Sequence, residues 1–64
     1  MIGEVRAVVR DRGFGFIRDA AGVDYFVHAT DLEVPFEELA EGDRVSFESQ
    51  QSSRGLRATE VRPA

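Results

Sequence analysis

Six glycines, at positions 3, 13, 15, 22, 42 and 55, cut the chain into apolar, β-branched and aromatic runs no longer than a strand. That punctuation constrains the fold more than any other feature. Glycines at or near element edges with strand-length runs between them suggest many short strands joined by turns. The pattern predicts strands over about 2–10, 14–18, 24–28, 43–50 and 56–62. Turns are expected at Asp11-Arg12-Gly13, in the Asp19-to-Val23 loop, and at Gln51-Ser52-Ser53-Arg54-Gly55. Between Ala29 and Gly42 the pattern loosens. Thr30-Asp31-Leu32 suits a single helical turn, and Pro35 suits the first turn of a short helix through Leu39. That stretch is too short and too acidic to be a stable helix alone.

Five short strands in 64 residues favour a small closed or partly open barrel forming a single domain. A chain this short buries only ~60% of the surface its unfolded form exposes, so the core must be small. With no Cys and one His, neither disulfides nor a thiolate or multi-His metal site can reinforce it, and no cofactor is expected. No apolar run approaches the ~20 residues of a membrane span, and the N-terminus lacks the layout of a signal peptide. The expectation is a soluble, cytoplasmic binding module.

Alternation identifies what it binds. Along 14–18 one face carries Phe14, Phe16 and Arg18, and the other carries Gly15 and Ile17. Along the next run one face carries Asp24, Phe26 and His28, and the other Val23, Tyr25 and Val27. An unpaired buried carboxylate is very costly, so the Asp24 face, with Phe26, points outward. A hairpin across residues 19–23 then pairs Arg18 with Asp24, Phe16 with Phe26, and Phe14 with His28. Opposite charges meet at the loop end and rings meet behind them, as cross-strand pairing favours. A slip of one residue would put outward rings beside inward valines. The flanking glycines are expected to leave the surface around Phe14 open. Exposed rings lined by Arg suit unpaired bases on a phosphate backbone.

The charge balance points less clearly. Twelve acidic against eight basic residues give −4, where nucleic-acid binders are usually basic. Every basic residue is Arg, whose planar group stacks and forks as Lys cannot. Arg6, Arg12, Arg18, Arg54 and Arg57 are each balanced between a solvated charge and a ligand contact. A second reading is therefore a protein-interaction module, since the same rings suit a protein interface. An enzyme is the weakest reading. The carboxylates are scattered over turns, Glu37-Glu38 reads as a solvated acidic loop, and no phosphate-binding Gly-Lys-Ser/Thr loop exists.

These segments resemble the cold-shock domain family from about Gly3 to Val61. Arg12-Gly13-Phe14-Gly15-Phe16-Ile17 is similar to its first ribonucleoprotein motif, usually Lys-Gly-Phe-Gly-Phe-Ile. Tyr25-Phe26-Val27-His28 is similar to its second, usually Val-Phe-Val-His. Glu41 through Phe47 resembles the fourth strand, and Arg54-Gly55 with Ala58 through Val61 the last hairpin. The resemblance implies an all-β, five-stranded antiparallel OB-type barrel. It implies a single-strand RNA- and DNA-binding protein with RNA-chaperone character in the stress response. Base-stacking positions carry over to Phe14, Phe16, Phe26 and His28, with Phe36 on the following loop as a further candidate. Arg12, Arg6 and Arg54 match basic backbone-contact positions, and Asp24 a position that hydrogen-bonds a base edge. The first strand departs from the family: it reads Arg6-Ala7-Val8-Val9 where Lys-Trp-Phe-Asn is usual, and Ala29 stands where a further Phe is often found. Ala7, Val8 and Ala29 are thus three expected stacking positions without a ring. A monomer is expected, with a strand-exchanged dimer as an alternative.

Overall fold

A computed structural model describes all residues, Met1–Ala64. Five strands, β1 (Ile2–Val9), β2 (Phe14–Asp19), β3 (Asp24–His28), β4 (Arg44–Ser52) and β5 (Gly55–Pro63), close into a barrel in the order β1-β2-β3-β5-β4. Two 3-10 turns, Ala29–Asp31 and Phe36–Glu38, fill the β3–β4 connection, the second directly after Pro35. No helix is long and apolar enough to cross a membrane. The expected strands are all present. The last hairpin is tighter than expected, because β4 runs on to Ser52 and β5 begins at Gly55, leaving a two-residue turn at Ser53 and Arg54.

Inward positions at a spacing of two build the core, except in β5, where an irregularity around Glu60 makes the step from Ala58 to Val61 three. Val5, Ile17, Tyr25, Val27, Val45, Phe47, Ala58 and Val61 fill the barrel, and Leu39 joins them from the connection. No polar or charged residue is buried. The Tyr25 ring packs edge-on against Phe47, 4.9 Å between centroids, while its hydroxyl reaches out to donate to Asp19 Oδ2 at 2.8 Å. Asp19 also accepts from the Ala21 and Val23 amides at 2.9 and 3.0 Å, so one carboxylate organises the β2–β3 loop. Val23 was expected on the inner face; it stands outside β3 in that loop and is exposed.

The pairing is antiparallel except at closure. There β3 meets β5 in parallel, with Phe26 opposite Arg57. The expected five-stranded antiparallel barrel is thus present, with one parallel neighbour at its closure. An odd number of strands around a ring forces at least one parallel neighbour, and this is where it falls.

Two glycines explain the strand that opens the first motif. Gly13 ends the β1–β2 turn at a φ of +72°, where a side chain is strained. Gly15 is buried, and a Cβ on it would lie 2.5 Å from the Ala7 carbonyl oxygen. Its role is close approach of β1, not the open surface expected around Phe14. At the same place β1 carries a bulge: Val5 pairs with Ile17, but Ala7 pairs with Phe16. The extra residue shifts the alternation, so Ala7 and Val9 flank the outward rings while Val8 packs against the core.

Candidate nucleic-acid interface

The β2–β3 hairpin has the even register: Arg18 opposite Asp24, Phe16 opposite Phe26, Phe14 opposite His28. Its outer face carries three rings in mutual contact. Phe14 and Phe26 lie 5.5 Å apart and tilted by 32°. Phe16 stands edge-on to both, at 6.0 Å from each. Phe16 is 38% exposed, and Phe14 and Phe26 are half-buried. Arg12, Arg54, Arg57, Ser52 and Ser53 complete an open depression of about 710 Å³ around these rings.

Local chemistry positions each group. Arg12 sits in the turn closed by the Arg12 and Gly13 amides donating to the Val9 carbonyl. Arg54 stands at the tip of the last hairpin, where its amide donates to Ser52 Oγ at 3.3 Å. Neither guanidinium forms an ion pair. Arg18 grips Asp24 through Nε and Nη2, at 2.8 and 3.3 Å, on an exposed edge. That hydrogen bond raises the Arg18 pKa and lowers that of Asp24, to which Arg6 adds a smaller electrostatic pull. Arg6 is exposed, 3.7 Å from Glu4, and lies off the depression.

His28 ends β3 and caps the turn that follows. Its Nδ1 accepts from the Thr30 amide at 3.2 Å, and its own amide donates to Asp31 Oδ2 at 3.1 Å. Acceptance at Nδ1 leaves Nε2 as the protonated nitrogen of the neutral ring. Asp31 then receives Arg57 Nε and Nη2, both at 3.0 Å. This pair of hydrogen bonds from β5 raises the Arg57 pKa.

The structure thus brings Phe14, Phe16, Phe26, Arg12 and Arg54 together, with His28 adjoining and the Arg18–Asp24 pair along one edge. Phe36 is elsewhere. It packs against the core, and Arg10 lies 5.8 Å over its ring while bonding the Phe36 and Leu39 carbonyls. Of the three positions without a ring, Ala7 borders Phe16, Ala29 lies beside Gly13, and Val8 is turned to the core.

The sequence profile described as the "'Cold-shock' DNA-binding domain" matches residues 1–64. The chain belongs to the cold-shock domain family. It is 40% identical over 62 residues to "Cold shock protein 2" of Lactiplantibacillus plantarum, covering 95% of this chain and 94% of that one. It is 40% identical over 63 residues to "Cold shock protein CspC" of Bacillus subtilis, covering 97% and 96%. It is 44% identical over 61 residues to "Cold shock-like protein CspG" of Shewanella violacea, covering 92% and 87%.

Within this cold-shock domain, Arg57 is the face residue that sequence reasoning left undecided. Its signal was weak because a lone Arg in an alternating strand reads equally well as a solvated charge. Its place beside Phe26 depends on barrel closure, which no local pattern encodes. Ser52 and Ser53 enter the same way, with the hairpin tip.

Proposed function

We propose that this cold-shock domain binds single-stranded RNA or DNA in the cytoplasm, without catalysis, and holds strands open as an RNA chaperone does. The observation that carries this is the outward cluster of Phe14, Phe16 and Phe26, bordered by the unpaired guanidiniums of Arg12 and Arg54. Three rings in contact on a sheet offer a platform for bases whose faces are free. A base inside a duplex has both faces covered by its neighbours and cannot use that platform. Stacking on unpaired bases then favours the melted strand by mass action, and no ATP is needed. The small patch and net charge of −4 favour a short bound segment over a long electrostatic track.

Fluorescence anisotropy with a labelled oligo-dT or oligo-U heptamer, against a duplex of equal length, tests the reading. Binding of the single strand with little duplex binding is expected. Equal affinity for both would remove the stacking face from the mechanism.

A further inference from the structure

We infer that Arg57 selects a guanine base on this face; the inference rests on the single-strand reading above. Arg57 sits opposite Phe26 and lines the ring depression, with 39% of its side chain exposed. Its guanidinium is not free to turn. Nε and Nη2 each donate to one oxygen of Asp31 at 3.0 Å. Asp31 is itself held by the His28 amide, and its side chain is only 10% exposed. The carboxylate therefore fixes the plane of the guanidinium beside the ring on which a base would lie.

Of the five N–H donors, two are taken by Asp31. The remaining edge offers parallel donors from Nη1 and Nη2, a fork that matches two adjacent acceptors. Guanine presents such a pair at N7 and O6. Cytosine presents a pair at N3 and O2 but has the smaller stacking face. Thymine and uracil alternate acceptor, donor, acceptor, and adenine sets a donor beside N7, so neither receives both. A phosphate also accepts a fork. Here, however, the guanidinium is already neutralised by Asp31, whose charge repels a phosphate, whereas a neutral base edge meets the same donors without that penalty. Asp31 acts as a positioning residue and Arg57 as the reader.

The test is a titration of the unmodified protein with a dT heptamer and with heptamers carrying one dG, stepped through each position. At one position, dG should tighten binding about tenfold over dT, the size of a good bidentate contact. Replacing that dG by 7-deazaguanine, which lacks N7, should remove most of the gain. Hypoxanthine, which keeps N7 and O6, should retain it. Arg57→Met should bring the dG-to-dT ratio to about one, and Asp31→Asn should lower it. No gain at any position, or a gain that survives 7-deazaguanine or Arg57→Met, overturns the assignment. Binding of dT without any dG preference leaves the stacking face intact and removes only the reader; binding of neither heptamer removes both. The base analogues act on the unmodified protein, so the assignment can fail even if Arg57→Met does not fold.

Discussion

Phe26 and Arg57 face each other across the parallel pairing that closes the barrel between β3 and β5. The ring belongs to a hairpin built from neighbours in sequence, and the guanidinium comes from the far end of the chain. Closure therefore determines the interface as much as the motifs do, and folding and binding can be separated residue by residue.

Phe26 and Val27 should show that separation. Phe26 is on the outer cluster, while Val27 is 1% exposed in the core. Phe26→Ala should weaken oligonucleotide binding by ~1–3 kcal/mol. Its stability cost should be limited to lost ring contacts, ~0.5–1.5 kcal/mol. Val27→Ala should instead lower stability by ~1–3 kcal/mol and leave the affinity of the folded fraction near the parent value. Thermal melts and titrations of both variants read this out. Global unfolding by Phe26→Ala would invert the face assignment.

The face was legible where its determinants are local. A short loop and strict alternation suffice to register Phe14 and Phe16 against His28 and Phe26, and they also place Ile17, Tyr25 and Val27 inside. The Arg57–Asp31 pair joins residues 26 apart, and each alone looks like a surface charge. The bulge that turns Val8 inward lies where β1 approaches Gly15 too closely for a side chain there, a relation between strands rather than a pattern within one. Phe36 is a different case: the sequence offers a ring on the loop after the motifs, and only the fold shows it partly buried against the core, with Arg10 over its ring and apart from the three-ring cluster.

Salt should weaken binding only moderately. Arg12 and Arg54 carry guanidiniums without ion pairs at the depression, and Arg6 lies beyond it near Glu4. Each phosphate contact on a single strand contributes roughly −0.7 to the slope of log K against log salt, so contacts from these two give a slope of roughly −1.4. Arg12→Ala and Arg54→Ala should each make that slope shallower by about 0.7. A parent slope steeper than about −5 would require a larger electrostatic footprint than these residues supply.

Acid should destabilise the fold through the β2–β3 loop. The Asp19 carboxyl is held below its ordinary pKa by the Val23 amide first, then by the Tyr25 hydroxyl. A depressed folded pKa gives stability that is complete above the unfolded value, ~3.9, and lost as pH falls through the folded one. Tyr25 runs the other way. Its hydrogen bond to Asp19, then burial, raises its pKa, giving stability that is present below ~10 and lost as pH rises through the folded value. Tyr25→Phe should therefore shallow both limbs of melting temperature against pH. An acid limb should remain, because Arg18 also holds Asp24 below its ordinary value. Unchanged limbs in Tyr25→Phe would show that this bond carries no linkage.

Restoring a ring at Ala7 should enlarge the platform. The bulge places Ala7 opposite Phe16, half-exposed on the outer face, so a larger side chain there adjoins the existing rings without entering the core. Aromatic residues fit pleated surfaces well, so the strand tolerates the change. Val8 is the wrong place for the same experiment, because it packs against the core, and a Phe there adds volume where there is none to spare. Ala7→Trp should therefore gain ~1–3 kcal/mol of binding, up to roughly a hundredfold, while Val8→Phe should chiefly lower stability. The protein has no Trp, so the new indole is also a clean reporter whose emission a stacked base should quench. Parent and variants are titrated with the same oligo-dT heptamer at fixed salt. A folded Ala7→Trp variant with neither tighter binding nor quenching would mean that the ligand stops short of β1 and uses only the rings of β2 and β3.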